Sequence, residues 1–186
     1  MRTTRARWLD EGLEVLAADG VDGLRIDRLA ARLGVTKGSF HHHFAGIADY
    51  RRALLAHYEA QTRAALAEAI ATGGDAGTRT TLAWLTTLVA EDGATLRRPE
   101  LDAAVRAWAH GDPEARATQA RIDDAAIAAL QATWRPAVGS DAAARTAALV
   151  PYLVSLGAAA MVPPVEAAEL HAVYRLLLES VPADEA

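Results

Sequence analysis

Cysteine is absent from this 186-residue sequence, lysine occurs once, at Lys37, and aromatic residues make up only 5% of the chain. Without cysteine, disulfides, zinc sites with thiolate ligands and cysteine nucleophiles are all excluded. No stretch reaches about 18 uninterrupted apolar residues, because proline and serine interrupt the longest candidate, AALVPYLVSLGAAAMVPPV. The first residues, MRTTRARWLDEG, are followed by no apolar run with a cleavage site. We therefore expect a cytoplasmic protein with no signal peptide that does not enter a membrane.

Charge is unevenly distributed along the chain. Apolar residues make up 52% of the sequence, which is typical of a globular protein, and the net charge is −5. Residues 1–52 carry nine Lys or Arg against seven Asp or Glu, whereas residues 53–186 carry ten against seventeen. The mildly basic first quarter indicates a segment that faces nucleic acid.

Runs of β-branched residues and period-2 alternation are scarce and alanine is abundant, so the sequence predicts an all-α fold of about nine helices. The predicted helices lie around Trp8–Leu16, Ile26–Leu33, a short one after Thr36, then Ile47–Thr72, Arg79–Glu91, Pro99–His110, Pro113–Arg135, from Ser140 or Asp141 towards Val162, and Val165–Val181. The expected caps are Thr36, Asp112 and either Ser140 or Asp141. Proline inside the eighth helix, at Pro151, predicts a kink or a break.

Two short helices joined by a tight glycine turn, in the basic part of the chain, predict a helix-turn-helix. Ala30 is small where the second helix must cross closely. Gly34 takes the turn, where a positive φ is often needed. Val35 and Phe40 then fill the angle between the helices.

The segment GLRIDRLAARLGVTKGSFHHHF, preceded by WLDEGLEVLAADG, resembles the N-terminal DNA-binding domain of the tetracycline-repressor (TetR) family over residues 5–55. This resemblance implies an all-helical, homodimeric transcriptional regulator, with 26–33 as the supporting helix and 37–43 as the recognition helix. It also implies a helix-turn-helix DNA-binding domain over 1–48, followed by a helical ligand-binding and dimerisation domain over 49–186.

Helical geometry orients the three consecutive histidines. At about 100° per residue, Phe40 and Phe44 lie about 40° apart and define the buried side. His42 then points to the opposite side, and His41 and His43 flank it. Because consecutive helical residues diverge in this way, three histidines in a row cannot share one tetrahedral metal ion. A metal site and an uninformative solvated surface are the alternatives to a DNA-facing surface, and no cofactor is indicated.

The DNA-facing interpretation assigns a role to each polar residue of this segment. We predict that Lys37 and His42 lie near base edges, and that Gly38 lets the backbone approach DNA closely. Free N–H groups in the first helical turn favour a nearby phosphate. The full set of predicted DNA-binding residues is Arg25, Thr36, Lys37, Gly38, Ser39, His41, His42 and His43, with Thr36, Ser39, His41 and His43 at or near phosphates.

Three positions depart from the family's pattern. Tyrosine is usual at the position of His41, lysine at Ile47, and serine or threonine at Arg25. The first two changes remove familiar contacts with the DNA backbone. Four arginines are candidates to replace them: Arg25, Arg28, Arg51 and Arg52. Because a phosphate favours the charged imidazolium, we also expect DNA binding that depends on histidine and tightens as the pH falls.

The C-terminal helices carry two further predicted sites. Residues predicted to line an apolar ligand pocket are Trp84, Arg106, Trp108, His110, Trp134 and Tyr152, with ordinary core packing as the alternative. Residues predicted to form an isologous four-helix homodimer interface are Leu149, Leu153, Leu156, Ala160, Leu170, Tyr174 and Leu177. A purely intramolecular core is the alternative there.

The leading functional hypothesis is a ligand-responsive repressor that binds a palindromic double-stranded DNA operator as a homodimer, with a small apolar or amphipathic effector among residues 78–160. The alternative is a helical small-molecule-binding or interaction module with weakened DNA binding, consistent with the missing tyrosine and lysine. An enzyme is disfavoured because the sequence has no cysteine, no histidine–carboxylate pair at helical spacing and no G-x-x-x-x-G-K phosphate loop.

Overall fold

The computed structural model describes residues 4–73, 77–91, 98–179 and 181. Over these residues the chain forms nine α-helices and no strand, so the all-α prediction is confirmed. The helices are α1 (Arg5–Asp19), α2 (Ile26–Leu33), α3 (Lys37–Phe40), α4 (Ile47–Gly73), α5 (Thr78–Glu91), α6 (Pro99–Gly111), α7 (Pro113–Trp134), α8 (Asp141–Ala160) and α9 (Ala167–Glu179). Short 3-10 turns occupy Val21–Gly23 and Arg135–Ala137.

Local capping explains where several helices begin. The Asp112 carboxylate accepts hydrogen bonds from the backbone N–H groups of Glu114 and Ala115 at 2.8 and 3.0 Å. The Ser140 hydroxyl accepts one from the N–H of Ala143 at 3.2 Å. Each cap satisfies an N–H group that has no partner within the helix. The predicted cap at Asp112 is therefore confirmed, and of the two candidates for α8 the structure selects Ser140.

The chain divides into two compact units. Unit 1 consists of Met1–Gln61 and Glu100–Arg121, and unit 2 consists of Thr62–Pro99 and Ile122–Ala186. In unit 1, α2 packs against both α1 and α3. The Tyr58 hydroxyl donates to the carboxylate of Asp102 at 2.6 Å, which joins α4 to α6. These contacts join helices of unit 1 that are distant in sequence.

In unit 2, α9 packs against α5 and α8. A small apolar cluster of Ala158, Leu170 and Tyr174 forms part of this packing. Among the described residues, α8 has the length and composition that would allow a helix to cross a membrane. Pro151 lies inside α8, and the helix is continuous through it, so the break that the sequence allowed does not occur.

Candidate nucleic-acid interface

The turn between α2 and α3 is a Schellman motif centred on Gly34. Gly34 adopts a left-handed conformation, with φ 67° and ψ 32°. Its N–H donates to the carbonyl of Ala31 at 3.2 Å, and the N–H of Val35 donates to the carbonyl of Ala30 at 3.0 Å. A β-carbon strains this backbone conformation, which explains the glycine. The motif ends α2 and directs the chain into α3, as the glycine turn predicted.

An aromatic cluster, formed by Trp8, Phe40, Phe44 and Tyr50, holds α3 from behind. The Phe40 ring lies 5.4 Å from that of Trp8, 5.1 Å from that of Phe44 and 5.5 Å from that of Tyr50, measured between centroids. All four side chains are buried. Edge-on and tilted ring contacts of this kind are favourable beyond the area they bury. Phe40 and Phe44 therefore define the inner side, as their helical spacing predicted.

The α-helical part of this segment is shorter than expected. The sequence predicts a recognition helix over 37–43, whereas α3 ends at Phe40 and residues 41–43 form turns. The N–H groups of His43 and Phe44 both donate to the carbonyl of Phe40, at 2.9 and 3.0 Å. The burial of Phe44 against the aromatic cluster draws the chain inward directly after Phe40. The three histidines consequently occupy a tight turn at the end of α3.

The outward side of residues 36–43 is polar, and we call it the recognition surface. Thr36, Lys37, Gly38, His41 and His42 are exposed, whereas Ser39 and His43 are half-buried. Within the described part of the chain, Lys37 forms no ion pair. An exposed cation without an acidic partner is available to a phosphate or to a base edge.

Gly38 lies on the recognition surface and has open space around it. A β-carbon at this position would lie 3.7 Å from the Thr36 hydroxyl oxygen, which is an ordinary contact, and would meet no other atom within 4 Å among those described. The backbone of Gly38 does not have a positive φ. Neither packing nor backbone conformation within the free protein therefore requires glycine here.

Two residues predicted to bind DNA occupy N-cap positions without capping. Thr36 precedes α3 and Arg25 precedes α2, and neither side chain makes a capping hydrogen bond. The prediction that the Thr36 side chain caps α3 is therefore wrong. The Arg25 guanidinium lies 3.5 Å from the carboxylate of Asp27, and both side chains are exposed. An exposed ion pair of this kind contributes little to stability. The side chains of Thr36 and Arg25 are therefore both accessible to a ligand at the surface.

The other candidate arginines are engaged within unit 1. Such contacts compete with any contact to DNA, because a guanidinium must leave its partner to reach a phosphate. The pairs are Arg28 with the carboxylate of Asp19 at 2.6 Å, Arg51 with the carbonyl of Val21 at 3.5 Å, and Arg52 with the carboxylate of Glu114 at 3.2 Å.

A histidine–carboxylate pair that the sequence did not reveal joins α1 to α4. The Nε2 atom of His57 lies 2.7 Å from the Asp10 carboxylate, and the Gln61 amide lies 2.9 Å from the same nitrogen. Spacing along one helix could not indicate this pair, because its members are 47 positions apart. In the described residues, no group of three His, Asp or Glu side chains is placed to hold a metal ion.

The residues predicted to line a pocket fall in different units. Arg106, Trp108 and His110 belong to unit 1, and Trp84, Trp134 and Tyr152 belong to unit 2. Two of the unit 2 residues use their polar atoms within the fold: the Trp84 indole N–H donates to the carbonyl of Ala69 at 3.0 Å, and the Tyr152 hydroxyl donates to the Asp123 carboxylate at 2.7 Å. Of the six, only Trp134 lines the cavity described in unit 2.

The residues predicted to form the dimer interface divide by exposure. Leu153 and Ala160 are exposed, and Leu149, Leu156 and Leu177 are half-buried. Leu170 and Tyr174 are buried against Ala158 within unit 2. On α9 the exposed apolar side chains are instead Val173 and Leu176, at 41% and 67% exposure. Helix α9 is apolar on two sides, so its periodicity alone did not indicate which side faces inward.

The Schellman turn, the buried rings behind α3 and the polar surface in front of it define a helix-turn-helix DNA-binding domain. Residues 9–54 match the family model described as bacterial regulatory proteins, tetR family. The match shows a DNA-binding domain of the tetR type over these residues. Two curated relatives come from Pseudomonas putida: the uncharacterized HTH-type transcriptional regulator TtgW, 40% identical over 55 residues, and the HTH-type transcriptional regulator SrpR, 42% identical over 53 residues.

These two matches cover 30% and 28% of this chain, and 41% and 25% of the respective relatives. The similarity in sequence thus spans less than half of each relative's length. Solved structures extend the likeness of the fold to nearly the whole chain. The reduced form of Escherichia coli NemR gives a TM-score of 0.78 at 20% identity, covering 99% of this chain and 100% of that one. A TetR transcriptional regulator from Legionella pneumophila gives 0.77 at 13% identity, covering 98% and 99%.

Proposed function

We propose that this protein is a cytoplasmic, non-enzymatic transcriptional regulator, acting as a repressor, that binds a palindromic double-stranded DNA operator as a homodimer and responds to a small-molecule effector. Residues 1–48 read DNA in this proposal, and residues 49–186 bind the effector and dimerise. The match of residues 9–54 to the tetR family model and the helix-turn-helix domain support it. The observation that carries it is the recognition surface, which is polar and exposed while Phe40 is fully buried behind it.

The proposed contacts follow from the position of each side chain on the recognition surface. Lys37 and His42 contact base edges, because both are exposed on the outward side. Gly38 permits close approach of the backbone. The remaining contacts, to phosphates, are assigned to Arg25, Thr36, Ser39, His41 and His43.

The exposed apolar side chains of α8 and α9 support the proposed homodimer. Leu153 is 58% exposed and Leu176 is 67% exposed, and both are large apolar side chains. On α8, the apolar positions Leu149, Leu153, Leu156 and Ala160 recur at helical spacing. A second copy that packed against this surface would bury it in an isologous interface. The same association explains the apolar character of α8 without a membrane.

The effector acts, in this proposal, by stabilising a state in which the two recognition surfaces of the dimer do not match successive major grooves. A ligand shifts such an equilibrium only by binding one state more tightly than the other. Half-sites one helical turn apart, about 34 Å, set the spacing that the DNA-bound state must satisfy.

Footprinting the purified protein on the DNA around its own coding region tests the proposal. We expect protection of an inverted repeat, and we expect the Lys37→Ala/His42→Ala variant to lose discrimination between that repeat and random DNA. Each base contact is worth about 1–3 kcal/mol, so the double change removes most of the specificity. Arg135→Ala, which removes one exposed cation outside unit 1, serves as the control and keeps its discrimination. Discrimination that survives the double change contradicts the assigned reading residues.

A helical small-molecule-binding or interaction module with weakened DNA binding is the second candidate. It is favoured by the engagement of Arg28 and Arg52 with carboxylates of unit 1. The residues His41 and Ile47 also favour this candidate, because neither offers the contact with the DNA backbone that tyrosine and lysine usually make at these positions in the family. Equal affinity for operator and random DNA, from a folded protein that still binds a small molecule, is the result that selects this candidate.

A further inference from the structure

Unit 2 contains a cavity of about 260 Å³ that is lined by α5, α8, α9 and the end of α7. We propose that this cavity binds a small, neutral and mostly apolar molecule that carries a hydroxyl group or another hydrogen-bond donor. This inference names the class of effector and therefore rests on the proposed function. It departs from the pocket predicted from the sequence, which contains an arginine and a histidine.

The wall of the cavity is apolar and carries no charge. Leucine, valine, alanine and proline side chains form most of it, including Leu82 from α5, Val150 from α8 and Leu177 from α9. None of the described lining residues is an acid, an arginine, a lysine or a histidine. A charged ligand would lose its hydration here without gaining an ionic partner, which is strongly unfavourable. The ligand is therefore neutral, and most of its surface is apolar.

The two hydroxyl groups on the wall already donate their hydrogens within the protein. The Thr86 hydroxyl donates to the carbonyl of Ala83 at 2.8 Å. The Tyr174 hydroxyl donates to the carbonyl of Pro151 at 3.3 Å. While these bonds persist, neither hydroxyl can donate to a ligand, whereas the Thr86 oxygen can accept a further hydrogen bond. The ligand must therefore supply the donor.

The backbone of α8 adds another acceptor. Pro151 has no N–H, so the carbonyl of Ala147 lacks the donor that a helix normally supplies from four residues later. Ala147 and Pro151 both line the cavity. The indole N–H of Trp134 is a donor, but its nitrogen is fully buried and does not reach the cavity surface. The polar atoms that a ligand can reach on this wall are therefore acceptors.

Packing at the C-terminal end closes one side of the cavity. The Arg79 guanidinium donates to the carbonyl of Val181 at 3.0 Å, which holds this residue against α5. Val181 is buried and forms part of the wall. An apolar cavity of about 150 Å³ can hold benzene, so a volume of 260 Å³ accommodates a single substituted benzene ring.

Calorimetry with three probes of matched shape tests this inference on the full chain. The probes are para-ethylphenol, para-ethylanisole, which lacks the hydroxyl hydrogen, and para-ethylbenzoate, which is charged. We expect the phenol to bind tightest. Loss of one hydrogen bond should weaken the anisole about fivefold, and the charge should weaken the benzoate about a hundredfold or more. Equal binding of all three, or binding of none, overturns the inference.

A variant that fills the cavity locates the site. Ala147→Leu adds a side chain to the wall and should weaken the phenol at least about tenfold. Ala132→Leu, at an exposed position of α7, is the matched control and should leave binding unchanged. Should Ala147→Leu fail to fold, as judged by its thermal transition, Thr86→Val replaces it and should remove the preference for the phenol over the anisole. An unchanged affinity or preference in a folded variant overturns the assignment.

These measurements use the protein without DNA, so the outcome is separate from that of the proposed function. Absence of binding by the phenol, together with intact operator protection, contradicts only the inferred effector class. Binding of the phenol by a protein that protects no operator supports the cavity assignment and selects the second candidate function. If the phenol releases DNA at the concentrations that fill the site, the result supports both the inferred effector class and the proposed function.

Discussion

The hydroxyl oxygen of Tyr50 lies 1.9 Å from the point that a β-carbon at Gly12 would occupy. The same hydroxyl donates to the carbonyl of Trp8 at 2.7 Å. Tyr50 also belongs to the aromatic cluster behind α3. The absence of a side chain at Gly12 thus lets α4 approach α1 closely enough to position the support of the recognition surface.

Gly12→Ala should destabilise the fold by about 1–3 kcal/mol, because the added methyl group overlaps the Tyr50 hydroxyl. Tyr50→Phe alone should cost about 1 kcal/mol through the lost hydrogen bond. The double variant should be more stable than the sum of the two losses predicts, since removal of the hydroxyl relieves the overlap. Free energies of unfolding from urea denaturation measure all three, and strictly additive losses would contradict this account.

Gly38→Ala should separate folding from DNA binding. The added methyl group meets only the Thr36 hydroxyl, at 3.7 Å, so the free energy of unfolding should stay the same or rise by up to about 1 kcal/mol. Operator affinity should nevertheless fall about tenfold or more, a cost of about 1.4 kcal/mol, if the backbone approaches DNA closely at this position. Unchanged affinity in an electrophoretic shift assay would show that Gly38 has no part in DNA binding.

Operator affinity should increase as the pH falls from about 8 to about 6, the range in which histidine side chains gain charge. His41 and His42 are exposed on the recognition surface, where a phosphate favours the charged imidazolium. The His41→Gln/His42→Gln variant should show a flatter dependence. Both proteins are titrated by fluorescence anisotropy at one fixed salt concentration, because ionic strength alone changes affinity strongly. Parallel pH profiles would exclude a role for these histidines.

Asp112 should make the stability of α7 depend on pH. Hydrogen bonds from the backbone N–H groups of Ala115 and Glu114 lower the pKa of its carboxyl below the ordinary value of 3.8. A group with a lowered folded-state pKa stabilises the protein above its unfolded pKa, and this contribution is lost as the pH falls through the folded pKa. Asp112→Ala should cost about 1 kcal/mol at neutral pH and less near pH 3. Asp112→Asn retains a cap and serves as the control.

The exposed apolar surface of α8 and α9 leads to a prediction about assembly. Leu153→Glu should shift the protein from dimer towards monomer in sedimentation equilibrium, because the new carboxylate would be buried without a partner in the interface. Ala132→Glu, on α7, places the same charge at another exposed position and should leave the mass unchanged. A wild-type protein that is already monomeric at micromolar concentration would contradict the proposed interface.

Much of the fold could be predicted from the sequence because its signals are local. The supporting helix begins and ends where the pattern predicted, at Ile26 and Leu33, and Gly34 makes the left-handed turn. The recognition helix was predicted three residues too long. Helical angles placed Phe44 on the buried side correctly, but they did not indicate that α3 ends at Phe40, because the contact of Phe44 with the ring of Tyr50 depends on another helix.

The sequence by itself determined where most of the helices lie, the cap at Asp112, the glycine turn and the separation of polar from apolar sides around residues 36–44, because these depend on residues within about one helical turn of one another. Only the tertiary structure decided which side of α9 is buried, that His57 meets Asp10, and that an uncharged cavity lies beside Trp134. Those outcomes depend on pairs of residues far apart in the chain. Periodicity along one helix carries no information about the partner on another.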